Sequence, residues 1–225
     1  MPASPVIVAA LARVPFFAVL PPAELDRMAA TLRMKRFARG AVIVSQGDDT
    51  DTLYVIASGR TKVCISDDEG KEVIVSLMGP GDYFGEMSLV DDHPRSASIE
   101  ALEPSELVVV GKDEFKASLA RNFDMSLAFM RCLVGRLRSA DKKIETLALM
   151  DVYGRVARAL VDMSESCPDG RRVIRRRVTK QDIARMIGAS REMVSRVMKD
   201  LVEMGEVEMV DDRMVLHPGL ERTAR

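Results

Sequence analysis

The spacing of apolar residues changes along the chain, and each change predicts a different kind of structure. Residues 5–35 suggest short helices, since Pro21 and Pro22 introduce a segment, AELDRMAATLRMK, whose apolar residues keep helical spacing: Leu25, Met28, Ala29 and Leu32. From Ala41 onward the period shortens. The apolar residues now fall in short β-branched segments separated by Gly, Pro or Asp clusters: AVIVSQGD, TLYVIASGRTKVCIS, KEVIVSLMGPGDYFG, SASIEALEPS and ELVVVGK. These segments predict a compact antiparallel barrel or roll, with a hairpin turn at residues 67–70.

A long helix is predicted from about Asp124 to Leu149, where no Gly-Pro break interrupts the helical pattern. Six residues at alternating spacings of 3 and 4 form the seam of a heptad repeat: Met130, Leu133, Leu137, Ala140, Ile144 and Leu147. So narrow a seam usually meets another helix like itself, which predicts a homodimer. The alternative is that the seam packs on the roll.

The last third of the chain predicts a helix, a tight turn, a second helix and a wing. After Asp151 come a helix, YGRVARALVDMSE, a turn-rich basic patch, CPDGRRVIRRR, and two closely joined helices, TKQDIARMIG and SREMVSRVMKDLVEMG. Thr179 followed by Asp182 predicts a capping box, Ser190 a second helix cap, and Gly188 the turn between the helices. The segment EVEMVDDRMVLH reads as two short strands around residues 211–212. This order is typical of DNA-binding domains.

The second of these helices has two unlike faces. At about 100° per residue, five polar residues fall within an arc of about 140°, and five apolar residues fill the other side. The polar set is Arg191, Glu192, Ser195, Arg196 and Lys199, and the apolar set is Met193, Val194, Val197, Met198 and Leu201.

This polar face suits the major groove of DNA. Arg191 and Arg196 offer planar forks to guanine, Glu192 can accept from the cytosine amino group, and Ser195 and Lys199 can reach bases or phosphates. At the start of the preceding helix, Thr179 and Lys180 are expected to bind backbone phosphate. The alternative is a salt-bridged surface face, because Glu192 and Arg196 are also an i,i+4 pair.

A second candidate site lies in GDYFGEMSLVDDHPRSASIEAL, residues 81–102. A strand ending at Gly85 and Glu86, a short helical turn and then Arg95 and Ser96 would bring backbone N–H groups, a guanidinium and a hydroxyl together, which suits a phosphate. A carboxylate there is unfavourable unless Glu86 binds a hydroxyl, and a ribose 2′-OH fits that role. The alternative is a surface turn with an Arg–Glu ion pair.

The composition and the distribution of charge favour some classes of protein over others. The 225-residue chain is 47% hydrophobic and 30% charged with a formal net charge of −1, typical of a soluble globular protein. Residues 1–122 carry 13 Lys and Arg against 18 Asp and Glu, while residues 171–225 carry 13 against 9, so the basic end would attract a polyanion. The apolar start is interrupted by Arg13 and Pro15, which argues against a signal or membrane span and for a cytoplasmic protein.

The sequence offers no constellation for catalysis or metal binding. Three distant cysteines, Cys64, Cys132 and Cys167, argue against a zinc site, an iron–sulfur cluster or a disulfide framework. His93 and His217 are the only histidines, so haem binding is not expected, and His93 beside Pro94 reads as surface. Since no nucleophile–base pair, metal-ligand spacing or Walker loop is present, we do not expect an enzyme.

Taken together, the chain resembles the family of the catabolite activator protein and the fumarate–nitrate regulator (CRP/FNR) over nearly its whole length. The resemblance rests on FGEMSLVDDHPRSAS, similar to the family's phosphate-binding cassette, on the long helix running into LALMDVYGRVARAL, and on VTKQDIARMIGASREMVSRVMKDL. It implies an α+β protein: an antiparallel β-roll that senses an effector over residues 1–122, a dimerisation helix over 123–150, and a winged helix-turn-helix over 151–225.

The resemblance also implies residue roles and partners. The effector would be a cyclic nucleotide, with Glu86 on the ribose hydroxyl and Arg95 and Ser96 on the cyclic phosphate; the full implied set is Gly85, Glu86, Arg95, Ser96, Ala97, Arg136, Ala140 and Asp141. DNA would be read through Arg191, Glu192 and Arg196 at a TGTGA-like half-site, repeated about a dyad for a homodimer. RNA polymerase is a further expected partner.

One position departs from the family pattern. Where cAMP-binding members place Thr-Ser on the long helix, this chain has Ala140 and Asp141. An ionised Asp can accept from the N–H donors of a guanine edge, which suggests cGMP or cyclic di-GMP rather than cAMP. The alternative is that Asp141 pairs with a Lys of the partner helix. The sequence encodes neither the sign of regulation nor the target genes, and it also allows an effector-independent regulator or a regulatory module of a partner enzyme.

Overall fold

The computed structural model describes residues 4–168, 171–175, 178–210 and 213–224. It divides into two compact units, Met1–Leu137 and Arg138–Arg225. The division predicted from the sequence at residues 122 and 150 stays a prediction. No helix among the described residues has the combination of length and apolarity that a bilayer crossing demands.

The first unit begins with three short helices, α1 (Pro5–Leu11), α2 (Pro15–Ala18) and α3 (Pro22–Ala29), each with Pro near its first position, where a missing N–H costs nothing. The helix predicted as far as Lys35 was too long. It ends at Ala29, because Arg33–Phe37 forms strand β1 and pairs along its length with a later strand. Leu32 therefore lies outside the helix.

The predicted roll consists of two four-stranded antiparallel sheets. One has the order β1-β8-β3-β6 and the other β2-β7-β4-β5, and the strands are β2 (Val42–Val44), β3 (Thr52–Ser58), β4 (Thr61–Ser66), β5 (Glu72–Met78), β6 (Tyr83–Phe84), β7 (Ser98–Ala101) and β8 (Ser105–Gly111). The hairpin turn falls at residues 67–70 as predicted, where the N–H of Asp67 donates to the carbonyl of Lys71 at 3.1 Å. The α+β roll expected from the short β-branched segments is confirmed.

Three further helices follow, and the last of them continues past Leu137, where the first unit ends. Helix α4 (Glu86–Asp91) lies between β6 and β7, helix α5 (Lys112–Arg121) follows β8, and helix α6 (Phe123–Leu149) confirms the long helix expected from about Asp124. Helix α5 was not predicted from the sequence. Its fully buried Phe115 packs edge-on against Phe16 and Phe129, which ties the short N-terminal helices and the start of α6 into one core.

In the second unit the predicted helix-turn-helix is present, but the wing is larger than expected. The elements are α7 (Val152–Met163), β9 (Glu165–Ser166), β10 (Arg172–Ile174), α8 (Lys180–Ile187), α9 (Arg191–Glu203), β11 (Val207–Val210), β12 (Arg213–Leu216) and α10 (Leu220–Thr223). The basic patch read as turns contains β10, which pairs with β12, so the hairpin belongs to a sheet of order β11-β12-β10-β9. The predicted wing turn at residues 211–212 lies outside the described residues.

Candidate functional site

The predicted phosphate-binding segment runs from β6 through α4 to Arg95. Gly85, between β6 and α4, has a φ of 90°, a conformation that side-chain-bearing residues rarely adopt. A Cβ on Gly85 would also lie 2.3 Å from Nη1 of Arg95 and 2.6 Å from the carbonyl oxygen of Thr52. Glycine is therefore required here by backbone conformation and by the close approach of Arg95.

Arg95 is 5% exposed, and each of its N–H groups has an acceptor within the protein. Nε donates to Oγ1 of Thr50 at 2.6 Å, and Nη1 donates to the carbonyl of Gly85 at 2.7 Å and to Oγ of Ser88 at 2.8 Å. Nη2 donates to the carbonyl of Thr52 and to its Oγ1 at 3.3 Å. Burial lowers the pKa of Arg95 below its usual value, but these bonds supply what a buried guanidinium needs.

Glu86 is buried and forms an ion pair with Arg136 of helix α6. The same guanidinium donates from Nη2 to the carbonyl of Tyr83 at 2.6 Å and lies 4.2 Å from the centroid of the Tyr83 ring. Burial raises the pKa of Glu86 above its ordinary value, and the positive charge of Arg136 opposes this rise. The alternative of a surface turn with an Arg–Glu ion pair is therefore wrong, because Glu86 is buried and pairs with Arg136 rather than with Arg95.

The remaining residues of this predicted set are spread between buried and exposed positions. Ser96 is exposed, with its hydroxyl 3.9 Å from the sulfur of Met87, and Ala97 is half-buried. Ala140 and Asp141 are exposed on α6. A guanidinium, an exposed hydroxyl and a buried carboxylate within one segment fit a ligand that carries a phosphate and a hydroxyl.

The sequence did not predict three residues that hold Arg95: Thr50, Thr52 and Ser88. Thr50 and Thr52 lie 45 and 43 residues before Arg95, Thr50 in the loop that leads into β3 and Thr52 at the first position of that strand. Backbone bonds bring this loop to the segment, since the N–H of Arg95 donates to the carbonyl of Asp48 at 2.9 Å. The closely spaced threonines in GDDTDT were the available signal, but nothing local to them indicates a partner so distant.

Helices α8 and α9 carry the predicted caps. Oγ1 of Thr179 accepts from the N–H of Asp182 at 3.1 Å and Asp182 Oδ2 accepts from the N–H of Thr179 at 3.2 Å, which confirms the capping box. Oγ of Ser190 accepts from the N–H of Met193 at 3.2 Å, and Gly188 makes the turn with a φ of 62°. The caps fix where α9 begins and so which side chains its first turn presents.

The two faces of α9 follow the predicted division with one exception. Val194, Val197, Met198 and Leu201 are buried in the core of the second unit. Met193, predicted to pack, is 37% exposed, because its position falls at the edge of the apolar arc rather than at its centre.

The polar face of α9 is open to solvent. Arg191, Glu192 and Arg196 are exposed and make no ion pair with any residue that the structure describes. The alternative pairing of Glu192 with Arg196 is therefore absent from this part of the chain. Lys199 pairs with Glu203 at 3.5 Å, and Ser195 is half-buried.

The predicted phosphate contacts at the start of α8 differ from each other. Lys180 is exposed, whereas the hydroxyl of Thr179 is committed to the cap, since it also donates to Oδ2 of Asp182 at 2.7 Å. Thr179 can therefore contact a phosphate only by giving up that bond.

The heptad seam of α6 is largely uncovered. Leu133 is half-buried, Ala140 is exposed, and four larger apolar residues have exposed fractions near one half or more: Met130 49%, Leu137 63%, Ile144 64% and Leu147 54%. Val134 beside the seam is 49% exposed. A stripe of this kind is unusual on a surface that meets only water.

Neither cysteines nor histidines form a site in the part of the chain that the structure describes. Cys64, Cys132 and Cys167 are free thiols, and burial raises the pKa of Cys64 to about 11. His93 is exposed, with Nδ1 2.8 Å from the carbonyl oxygen of Asp91. No group of three or more His, Cys, Asp or Glu side chains among the described residues could hold a metal ion.

Comparisons with known proteins cover both units. A model of the cyclic nucleotide-binding domain matches residues 34–122, and a model of the Crp-like helix-turn-helix domain matches residues 154–221. The chain is 33% identical over 202 residues to the cAMP-activated global transcriptional regulator Vfr of Pseudomonas aeruginosa, covering 86% of this chain and 93% of that protein.

Two further likenesses agree with these matches. The CRP-like cAMP-activated global transcriptional regulator of Mycobacterium tuberculosis is 30% identical over 218 residues, which cover 96% of this chain and 97% of that one. Among solved structures, the c-di-GMP-responsive global regulator CLP of Xanthomonas campestris matches with a TM-score of 0.72 and 27% identity, over 88% of this chain and 99% of that chain. The relatives thus include regulators named for two different nucleotides.

Proposed function

Because this chain belongs to the CRP/FNR family of transcription regulators, we propose that it binds double-stranded DNA as a homodimer under the control of a cyclic nucleotide. Each protomer places α9 in the major groove of one half-site of a TGTGA-like palindrome, with the half-site centres about 34–36 Å apart. From that site it contacts RNA polymerase.

The observation that carries the DNA-binding proposal is the open polar face of α9. Arg191, Glu192 and Arg196 are exposed side by side without internal ion partners among the described residues, while the opposite face is buried. An arginine that keeps its guanidinium free can donate two parallel hydrogen bonds to O6 and N7 of guanine. Glu192 beside it can accept from cytosine, so the face carries sequence information as well as charge.

Control by a nucleotide is supported by the segment from Gly85 to Ser96. A cyclic nucleotide offers a phosphate to Arg95 and Ser96 and a ribose hydroxyl to Glu86, and burial of the two charged groups makes them selective for a ligand with both features. The ligand shifts the dimer only by as much as it binds one state better than the other. For the base, Asp141 favours a guanine over an adenine, since a carboxylate accepts but does not donate.

A second candidate is regulation without an effector, and one specific observation favours it. Arg95 has an acceptor for each N–H group and Glu86 has Arg136, so neither charged group needs a ligand to be satisfied. In that case the segment from Gly85 to Ser96 only stabilises the first unit, and the protein binds DNA without an effector.

One titration separates these functions. Fluorescence polarisation would follow the binding of a labelled duplex with two inverted TGTGA half-sites, at one fixed salt concentration, with cAMP, cGMP, cyclic di-GMP or no nucleotide. We expect one nucleotide to tighten specific binding, by the 5–150-fold or so of a typical allosteric coupling, without changing affinity for a scrambled duplex.

The other outcomes are equally definite. Equal, specific binding under all four conditions would favour the effector-independent regulator. Identical affinities for the palindromic and the scrambled duplex would overturn the proposal of sequence-specific DNA binding.

A further inference from the structure

The loop before β3 and the first residue of that strand supply two of the side chains that hold Arg95. Thr50 accepts from Nε at 2.6 Å, and Thr52 accepts from Nη2 through its carbonyl and its hydroxyl. The other nitrogen, Nη1, is bound to Gly85 and Ser88 on the opposite side. The guanidinium is therefore held by hydrogen bonds at two edges, and the acceptors come from different parts of the chain.

The two sets of hydrogen bonds to Arg95 differ in how easily they can be broken. Ser88 is buried, so an acceptor left without Arg95 there would stay unsatisfied. Thr50 and Thr52 are half-buried where an exposed loop enters β3, so water can replace a lost donor there. Breaking the hydrogen bonds of Nε and Nη2 therefore costs less free energy than breaking those of Nη1.

A phosphate would use that same edge. Nε and Nη2 form one of the parallel forks with which arginine binds the oxygens of a phosphate. In this structure both nitrogens of the fork are already bound to neutral oxygens of Thr50 and Thr52, whereas the oxygens of a phosphate are negatively charged and attract the guanidinium more strongly. A phosphate can take the place of these threonine oxygens, but only after their hydrogen bonds to Arg95 are broken.

Building on the proposed control by a cyclic nucleotide, we propose that Thr50 and Thr52 are internal competitors of the effector phosphate for the Nε and Nη2 edge of Arg95. They lower the affinity of the site and keep Arg95 satisfied when no effector is bound. The nucleotide then displaces the two threonines while Gly85 and Ser88 continue to hold Nη1.

A further contact ties the same loop to the end of α4. Nζ of Lys112 lies 2.8 Å from a carboxylate oxygen of Asp51 and 2.8 Å from one of Asp92. Asp51 stands between the two threonines, and Asp92 follows α4. Because Lys112 keeps the loop beside the segment, the threonines remain near Arg95 after release and can bind it again.

The test compares Thr50→Val with Thr50→Ser, which keeps the hydroxyl. Calorimetric titration with cAMP, cGMP and cyclic di-GMP should give a tighter Kd for Thr50→Val than for the wild type, by about 10-fold, the lower end of what a hydrogen bond to a charged group contributes. Thr50→Ser should match the wild type. Thr52→Val should have a smaller effect, because its hydroxyl is 3.3 Å from Nη2 and the carbonyl remains.

Thermal unfolding distinguishes competition from a purely structural role. Thr50→Val should lower the Tm of the free protein but not that of the protein saturated with nucleotide, because the bond to Thr50 is already broken there. A structural bond kept in both states would lower both Tm values by the same amount.

The outcomes are distinguishable from failure of the proposed function. If the wild type binds a nucleotide and Thr50→Val binds it equally or more weakly, the competition is overturned and control by a nucleotide stands. Binding by Thr50→Val alone supports the competition. If neither protein binds any of the three nucleotides, both proposals fall.

Discussion

Arg136 on helix α6 covers the buried carboxylate of Glu86, so an exposed cation and a buried anion form one pair. The side chain of Arg136 is 43% exposed, whereas that of Glu86 is 2% exposed. The cost of burying the charge therefore falls on Glu86, whose pKa is raised by burial despite the nearby guanidinium.

This pair predicts a pH dependence of stability. Because the pKa of Glu86 is raised in the folded state, the folded chain holds this proton more tightly than the unfolded chain. The free energy of unfolding should fall as pH rises from the ordinary value of 4.5 through the raised pKa, and remain lower above it. Glu86→Gln should lack this fall in urea unfolding measured across that range.

Glu145→Gln is the matched control, because Glu145 is an exposed carboxylate on α6, the helix that carries Arg136. Its stability profile should parallel the wild type. A Glu86→Gln profile that also parallels the wild type would contradict the effect of burial on Glu86.

Gly85 allows a test of the close approach to Arg95. Gly85→Ala should destabilise the protein more than Gly70→Ala in chemical denaturation. Both glycines have positive φ, 90° and 80°, but a Cβ at Gly70 meets nothing within 4 Å. Gly70→Ala therefore measures backbone strain alone, about 1–3 kcal/mol, and equal losses would show that Arg95 moves aside at no cost.

The sequence predicted those parts of the fold that depend on local pattern. The period of the apolar residues was sufficient for α6, and the caps at Thr179 and Ser190 marked the starts of α8 and α9 within a residue. Strand β10 was missed because its three residues lie in a basic segment and owe their conformation to pairing with β12. Helix α5 was missed because Phe115 and Ser118 are its only buried residues, too few for a clear period.

The same distinction applies to the nucleotide segment. Glu86 and Arg95 could be predicted because their motif is contiguous. Thr50 reaches Arg95 only through the pairing of distant strands and loops, which no local pattern reports. The acceptors of the Arg95 N–H groups are set by the packed structure. The sequence therefore could not show that these donors are already hydrogen-bonded within the protein.

Loss of either arginine of α9 should remove sequence discrimination. Arg191→Leu and Arg196→Leu should each lower affinity for the TGTGA palindrome by about 1–3 kcal/mol per half-site, and leave binding to a scrambled duplex largely intact. Arg222→Leu controls for the lost charge, since Arg222 is exposed on α10. Unchanged operator affinity in polarisation assays of the α9 variants would contradict the assignment.

The uncovered seam of α6 predicts a dimer that a charge can disrupt. Leu137→Glu and Ile144→Glu should each move the mass in sedimentation equilibrium from twice 24.8 kDa toward 24.8 kDa, because both residues are more than 60% exposed in one chain. Lys142→Glu introduces the same charge off the seam and should stay dimeric. A wild-type mass of 24.8 kDa would show that the protein is a monomer and would contradict dimerisation through the seam.

Asp141 should decide which base the regulator prefers. If its carboxylate accepts from the N1–H and N2–H of a guanine, Asp141→Ala should weaken cGMP or cyclic di-GMP by about 10–100-fold, the contribution of a hydrogen bond to a charged group, and leave cAMP nearly unchanged. Calorimetry with the three nucleotides measures this directly, with Glu145→Ala as the control for a lost acidic charge on the same helix. Equal losses for guanine and adenine nucleotides would mean that Asp141 does not read the base. Its charge would then act on the partner helix, and the loss of affinity should be accompanied by a weaker dimer.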